Sequence, residues 1–260
     1  MELKMKQSNW IALKSILCKE ISRFSRIWGQ TLVPPVITMM LYFFIFGNLI
    51  GVNLEKIQGF SYMEFIIPGM IMMSVITNSY SNVSSSFFSA KFQRNIEEML
   101  IAPIPVYVII FGYIGGGIAR AICVGGLVSI VSLFFLVIKI KQLIIILSIL
   151  ILTSILFSLA GLLNGIFAKS FDDISIVPTF ILTPLTYLGG VFYSLKLLPI
   201  FWQKISKFNP IVYMVNSFRY GFLGITDVSI FLSFIIIISI IAILYVFVWY
   251  LIHNNWNLKI

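Results

Sequence analysis

Charged residues are scarce in this sequence, and their scarcity excludes an ordinary soluble domain. Only 10% of its 260 residues are charged, whereas 60% are hydrophobic and the mean hydropathy is +1.04. A soluble domain has about a quarter of its residues charged. Acidic residues are the rarest, nine against 18 Lys and Arg, which gives a net charge of +9. The composition predicts a polytopic membrane protein whose basic loops face anionic lipid headgroups rather than nucleic acid.

Cysteine and histidine are also rare, which removes the residues on which most metal and nucleophile sites depend. Cys18 and Cys123 lie in a basic amphipathic stretch and an apolar run, and no CxxC motif occurs. The single histidine, His253, ends the last apolar run without a ligand partner near it in the sequence. Neither a disulfide framework nor a metal site is therefore predicted, and we expect no catalytic or cofactor-binding residue on this chain.

No phosphate-binding loop of the form GxxxxGK[ST] is present, so ATP binding is not expected here. The glycine cluster GYIGGGIAR lies inside an apolar run with no strand before it. Gly112 and Gly116 have the GxxxG spacing that lets two helices pack closely, and so do Gly161 and Gly165. We therefore expect close helix packing at these glycines and no enzymatic activity.

Long apolar runs predict an all-α integral membrane protein with six transmembrane helices. A helix needs about 20 residues to cross the hydrocarbon of a bilayer. The prolines of the first span lie near its start, where they are tolerated, whereas those of the fifth, Pro178 and Pro184, are expected to produce kinks. The predicted spans are about 31–51, 62–88, 106–138, 143–167, 174–193 and 229–252.

The second span is unusually polar. Its apolar part, Phe65 to Thr77, has 13 residues, and at about 1.5 Å per residue it is too short to cross. The helix must therefore continue through NSYSNVSSS, and its polar side chains either line a transport path or bond to neighbouring helices and their own carbonyls. Arg120, the one charge of the third span, either contacts cargo, snorkels, or bonds to carbonyls. The candidate path residues are Asn78, Ser81, Asn82, Ser85 and Arg120.

Two segments outside the spans carry their own patterns. Residues 8–28 repeat apolar side chains every three or four positions, which predicts an amphipathic helix in the membrane interface or a simple anchor helix. Residues 194–224 are too apolar for a free loop but are divided by Pro199 and Pro210, which predicts an outer re-entrant helical hairpin. The apolar residues of the first segment are Trp10, Leu13, Leu17, Ile21, Phe24 and Trp28. The hairpin aromatics expected at headgroup depth are Phe201, Trp202, Phe208, Tyr213, Phe218 and Tyr220.

An even number of spans places both termini on one side of the membrane. With the N-terminus inside, ten Lys and Arg lie inside and seven outside, and six of the ten precede the first span. This bias predicts cytoplasmic termini, and it makes the loop of residues 89–105 cytoplasmic. The N-terminus, MELKMKQSNW, lacks the apolar region of a signal peptide, so no cleaved leader is expected.

Three stretches resemble the ABC-2 type transporter permease family, and in particular its small bacterial inner-membrane members. They are RNIEEMLIAPIPVYVIIFGYIGGGIAR at 94–120, GGVFYSLKLLPIFWQKISKFNPIVYMVNSFRYGFLG at 189–224, and FIIPGM at 65–70. The resemblance covers nearly the whole chain and implies a single membrane domain over residues 1–260. It further implies an exporter in which two copies of the chain pair above a separate ATPase subunit that binds ATP and Mg.

The same resemblance assigns ATPase coupling to a short helix in the 89–105 loop. Arg94 and Glu98 have the i, i+4 spacing of a local ion pair, which leaves Glu97 free to meet a basic or polar groove on another protein. A solvated loop with ordinary charges is the alternative. The coupling candidates are Arg94, Glu97, Glu98, Met99, Leu100 and Pro103.

A stand-alone secondary transporter or channel is the alternative function. Such a protein is expected to carry acids near the middle of the bilayer. Glu64 is the one acid that the sequence places near a span, and it lies at the outer edge. The scarcity of acids therefore favours a subunit that takes its energy from a partner.

Overall fold

The computed structural model describes residues 2–51, 56–136 and 140–256, and these residues are helical apart from turns and one isolated bridge between Ile57 and Phe60. The expectation of an all-α protein is confirmed for this part of the chain. The helices are α1 (Glu2–Arg26), α2 (Trp28–Thr31), α3 (Val33–Tyr42), α4 (Tyr62–Phe92), α5 (Asn95–Ile101), α6 (Val106–Leu133), α7 (Leu143–Phe167), α8 (Phe171–Val177), α9 (Thr183–Tyr187), α10 (Ile200–Ser206), α11 (Pro210–Leu223) and α12 (Ile230–His253). A π-helical segment, Phe43–Ile50, follows α3, and another, Pro178–Leu182, joins α8 to α9.

Helix α4 is the centre of the fold and packs against α6, α7 and α11. Its first turn is fixed by a capping box, in which Ser61 Oγ accepts from the backbone N–H of Glu64 at 3.3 Å and the Ser61 N–H donates to Glu64 Oε2 at 2.7 Å. Glu64 is therefore a capping residue. The helix runs without interruption to Phe92, so the prediction that it continues past the apolar part is confirmed.

Four helical stretches of the described chain are long and apolar enough to cross a membrane: Trp28–Gly47, Val106–Leu133, Leu143–Phe167 and Ile230–His253. They correspond to the first, third, fourth and sixth predicted spans. The long helix α4 is more polar than these four, and the predicted span 174–193 is divided into short helices. The count of six spans therefore stays a prediction.

The end of the third span was predicted too far along the chain. The third span was predicted to reach residue 138, but α6 ends at Leu133, where i→i−3 bonds from the N–H groups of Phe134 and Phe135 close its last turn. Residues 137–139 lie outside the described part. In the fifth span, a π-helical segment begins at Pro178, which lacks an N–H, and Pro184 lies in the first turn of α9. The predicted kinks at these two prolines stay a prediction.

Glycines set how closely the helices approach. A Cβ at Gly116 of α6 would lie 2.5 Å from Glu20 Cβ on α1, and a Cβ at Gly161 of α7 would lie 2.5 Å from the Tyr80 carbonyl oxygen on α4. Neither position has room for a side chain. The expected close packing at the GxxxG glycines is therefore confirmed, and it brings α1 and α7 onto the central pair α4 and α6.

Helix α1 buries one stripe of side chains in the bundle and leaves much of the predicted apolar face on the outside. Its buried positions are Ile16, Glu20 and Phe24, whereas Trp10 and Trp28 are 66% and 62% exposed. The buried residues recur every four positions, as the predicted apolar repeat does. The glycines of α6, however, pack against the stripe of α1 that contains Ile16 and Glu20. The large tryptophans remain on the outside of the packed bundle.

The segment 194–224 forms α10 and α11, which differ in burial. The α10 aromatics, Phe201 and Trp202, are exposed, as is Phe208 after the helix. In contrast Tyr213 and Phe218 are buried because α11 packs against α4, α7 and α12. Those two side chains therefore contact the bundle and not solvent or lipid, and the headgroup depth of the six aromatics stays a prediction.

Arg219 of α11 is also buried and is not the loop charge that the sequence suggested. Its exposed fraction is 1%. Its Nε donates to the Phe65 carbonyl at 3.1 Å, its Nη2 donates to the Gly190 carbonyl at 2.7 Å, and the guanidinium lies 3.7 Å from the centre of the Phe65 ring. These bonds tie α11 to the start of α4.

Candidate coupling helix and polar groove

The predicted coupling loop contains a defined helix, α5, that follows a sharp reversal of the chain. Arg94 adopts a left-handed conformation with φ of 62°, and its carbonyl accepts from the Glu97 N–H at 3.0 Å. Asn95 Nδ2 donates to Gln93 Oε1 at 3.1 Å across the turn. At the other end, the extended conformation of Ala102 stops the helix and Pro105 precedes α6. The helix therefore has fixed ends.

The inner side of α5 is anchored in the core. Ile96 is 2% exposed and belongs to a cluster with Val83, Phe87 and Ile109. Two of the predicted contact residues, Met99 and Leu100, are half-buried against the same cluster. These two side chains stabilise α5 on the bundle, so the structure does not present them as the apolar contact surface.

The outer side of α5 presents charge beside an apolar residue. Arg94, Glu98 and Pro103 are exposed, Glu97 is half-buried, and Ile101 is 85% exposed. Ile101 was not among the coupling candidates, yet it is more accessible than its apolar neighbours Met99 and Leu100. A partner protein could contact these five residues without unfolding the helix.

Arg94 and Glu98 do not form the predicted ion pair. Within the described residues, ion pairs join Arg23 to Glu20 and Lys196 to Asp227. Arg94 lies before the first helical residue, and its left-handed conformation removes the i, i+4 geometry that a pair on one helix face requires. Both charges therefore stay accessible from outside.

Lys91, near the end of α4, joins this helix to the carboxyl end of α7. Its Nζ donates to the carbonyls of Ile166 and Ala168 at 2.7 and 2.9 Å, and its side chain is buried. These are carbonyls at the carboxyl end of α7, which a cation stabilises. This role could not be predicted from sequence, since Lys91 lies within the predicted 89–105 loop and resembles an ordinary loop charge.

Helix α8 packs over the same end of α4. The Phe171 ring lies 4.9 Å from that of Phe88 and 5.3 Å from that of Phe92. The backbone N–H of Lys169 is the main cause that holds the pKa of Asp173 below its usual range, followed by bonds from Ser170. The charged carboxylate thus fixes the first turn of α8.

A polar network joins α1 to α4. Ser86 Oγ donates to Glu20 Oε1 at 2.6 Å, and Arg23 Nη2 lies 3.5 Å from Glu20 Oε2. The same Arg23 nitrogen donates to the carbonyl and the side-chain oxygen of Asn82, both at 2.8 Å. Glu20 is fully buried. Glu20 and Arg23 were not among the functional residues predicted from sequence. Their i±4 spacing from Ile16 and Ile27 places them beside apolar positions of the helix.

Arg120 bonds to the protein itself. Its Nη2 donates to Asn78 Oδ1 at 3.0 Å and to the Thr31 carbonyl at 3.2 Å. Asn78 in turn donates to the Ser74 carbonyl at 3.0 Å, one turn back on α4. Arg120 and Asn78 therefore form the hydrogen bonds to neighbouring helices that were the alternative to a role in transport. These bonds join α6 to α4 and to α2.

Three of the five candidate path residues line one open groove of about 400 Å³ between α4, α6 and α8. They are Ser81, Ser85 and Arg120, and Ser85 also bonds to the Ser81 carbonyl at 2.7 Å. The other two, Asn78 and Asn82, are buried behind the groove in bonds to Arg120 and Arg23. The opposite wall consists of Phe171, Ile174, Ser175, Pro178 and Thr179.

Comparison with known proteins gives one consistent result. The family model described as ABC-2 type transporter matches residues 11–223. The chain is 63% identical over 250 residues to the inner membrane transport permease YadH of Escherichia coli K12, covering 96% of this chain and 98% of that protein. It is 26% identical over 219 residues to nodulation protein J of Rhizobium leguminosarum bv. viciae, covering 83% of each. The matched range includes the polar network, α5 and the groove.

Proposed function

Because the chain belongs to the ABC-2 type transporter family, we propose that it is the membrane subunit of an ATP-driven exporter. In this proposal two copies form the translocation path and a separate ATPase subunit binds ATP and Mg. The bacterial inner membrane is its location, by similarity to the permease of Escherichia coli. Both termini are cytoplasmic, which places α5 on the side where ATP is available.

The observation that carries the proposal is the geometry of α5. Its inner side is held by Ile96 in the core, and Lys91 bonds the end of the preceding helix, α4, to the carboxyl end of α7. Its outer side presents Arg94, Glu98 and Ile101. A helix that is rigidly attached on one side and exposed on the other transmits a displacement to α4 and α7 instead of absorbing it.

The groove beside α4 supports a polar or anionic cargo. Arg120 supplies a positive charge, and Ser81 and Ser85 supply hydroxyl groups, against the partly apolar wall of α8. The π-helical segment that begins at Pro178 forms part of this wall. Segments of this kind are frequent at functional sites, and in this proposal a movement of α8 relative to α4 changes the width of the groove.

The six-span arrangement completes the proposal. Helix α4 crosses the membrane in spite of its polar residues, because those residues bond to α1, α6 and their own carbonyls and not to lipid. The exposed residues of α12, such as Phe231, Ile243 and Val246, contact lipid chains. Trp10 of α1 and Trp28 of α2 lie at headgroup depth.

The experiment that tests the proposed function is reconstitution of the chain in liposomes with and without a co-expressed ABC ATPase subunit. Transport should require the ATPase subunit, ATP and Mg, and an ion gradient should not replace them. Activity of the chain alone, driven by an ion gradient, would contradict the proposal and favour the stand-alone transporter.

A further inference from the structure

A second cavity, of about 460 Å³, lies between α1, the end of α4 and the turn that leads into α5. It is distinct from the groove, and neither the coupling helix nor the path residues explain it. Its lining is basic and polar and includes no acidic residue. The lining residues are Lys19, Ser22, Arg23, Arg26, Ser86, Ser89, Ala90, Gln93 and Asn95.

One face of α1 provides all the positive charge of this cavity. Lys19, Ser22, Arg23 and Arg26 follow the i, i+3, i+4, i+7 spacing of a single helix face. Within the described residues, the side chains of Lys19 and Arg26 make neither a hydrogen bond nor an ion pair. Both cations are therefore available to a ligand.

The nearby acid does not neutralise this cavity. Glu20 is fully buried, and its two oxygens are engaged by Ser86 and Arg23 at 2.6 and 3.5 Å. It offsets the charge of Arg23 at most, which leaves Lys19 and Arg26 uncompensated. A concave site with two unpaired cations has a positive potential that attracts anions.

The opposite wall provides neutral hydrogen-bonding groups. Gln93 Nε2 contacts Ser89 Oγ at 3.5 Å, and Gln93 Oε1 accepts from Asn95 at 3.1 Å. These bonds hold the side chains of Gln93 and Asn95 in place. On the α1 side, the hydroxyl of Ser22 makes no hydrogen bond among the described residues. Because a water molecule occupies about 30 Å³ in the liquid, the cavity has room for a phosphate group together with several waters.

We propose that this cavity is a binding site for a phosphate-bearing anion, either a phospholipid headgroup or free phosphate. Lys19 and Arg26 contact the phosphate oxygens, and Arg23 adds charge from the buried end. Cations on flexible side chains and a guanidinium are suited to phosphate recognition. A bound phosphate would bridge α1 and the α4–α5 turn, and this site does not depend on the identity of the cargo.

The test uses the purified full chain in an uncharged detergent, titrated with short-chain phosphatidylglycerol and separately with inorganic phosphate. The variant Lys19→Ala/Arg26→Ala removes the two unpaired cations and no hydrogen bond of the protein. The matched control is Lys14→Ala, because Lys14 is exposed on the same helix but does not line the cavity. Thermal unfolding of each variant without ligand verifies that the fold is intact.

The wild-type chain and Lys14→Ala should bind one anion per chain saturably, and the double variant should bind about tenfold or more weakly. Displacement of the lipid by inorganic phosphate would identify a site open to free phosphate, whereas lipid binding that phosphate does not displace would identify a headgroup site. The absence of saturable binding by the wild-type chain, or equal binding by the double variant, would overturn the proposal.

Discussion

Arg23 of α1 donates two hydrogen bonds to Asn82 of α4, one to its backbone carbonyl and one to its side-chain oxygen, each at 2.8 Å. This contact attaches the N-terminal helix to the most polar part of the central helix. Beside it, Glu20 accepts from Ser86 in a fully buried position. The N-terminal helix is thus part of the packed bundle, held by charge-assisted bonds as well as by apolar contacts.

Replacement of Arg23 by methionine should destabilise the chain, because Glu20 and the Asn82 oxygens lose their donor. A buried group left without a partner costs about 1–3 kcal/mol, and this loss should lower the thermal unfolding midpoint in detergent. The double variant Glu20→Gln/Arg23→Met should recover part of the loss, since it removes the unpaired charge. Equal midpoints for the wild type and Arg23→Met would contradict the assigned network.

Gly116 and Gly126 of α6 should respond in opposite ways to the same substitution. A Cβ at Gly116 would lie 2.5 Å from Glu20 Cβ, whereas a Cβ at Gly126 has nothing within 4 Å. Gly116→Ala should cost about 1–3 kcal/mol by overpacking, and Gly126→Ala should be neutral or stabilise by up to about 1 kcal/mol through helix propensity. Thermal unfolding of the two variants in parallel measures the difference, and the reverse order would contradict the packing of α1 on α6.

Lys91→Met should destabilise the junction of α4, α5 and α7. The two carbonyls that Lys91 contacts would lose a charged donor, at a cost of about 1–3 kcal/mol. Lys169→Met is the matched control, because Lys169 is close by but exposed. Hydrogen exchange at the carboxyl end of α7 should increase in Lys91→Met alone, and equal exchange in both variants would show that Lys91 does not hold this end.

Alanine substitutions at the two isoleucines of α5, Ile96 and Ile101, should affect stability and ATPase stimulation differently. Ile96→Ala removes a side chain that is 2% exposed and should cost about 2–4 kcal/mol in unfolding free energy. Ile101→Ala removes one that is 85% exposed and should leave the unfolding midpoint unchanged. In the reconstituted complex, Ile101→Ala should reduce stimulation of the partner ATPase. Full stimulation by this variant would exclude Ile101 from the contact.

Much of the fold could be predicted where a physical requirement of the bilayer decided the outcome. An apolar stretch that ends at Thr77 is too short to cross, so α4 had to continue, and it does so to Phe92. The end of α8 and the start of the π-helical segment at Pro178 agree with the missing N–H of proline. Close packing at Gly116 followed from the absence of a side chain. Each of these inferences needed only local sequence.

The residues that sequence reasoning missed are those whose role depends on a distant partner. Glu20 is buried because Ser86 lies opposite it, 66 positions further along the chain. Lys91 is buried because the carboxyl end of α7 accepts its bonds, and Arg219 because the Phe65 and Gly190 carbonyls do. A charge read from its neighbours in sequence suggests solvent exposure, whereas packing at long range decides whether it is paired inside.

The central claim is that α5 receives the movement of a partner ATPase, and charge reversal on its exposed side tests this claim most directly. The variant is Glu97→Lys/Glu98→Lys, and the control is Asp172→Lys, which reverses an exposed acid on α8. ATP hydrolysis and transport are measured in liposomes that contain the chain and its ATPase subunit. The double variant should remain in the membrane but lose ATPase stimulation and transport, while the control retains both. Normal transport by the double variant would contradict the account.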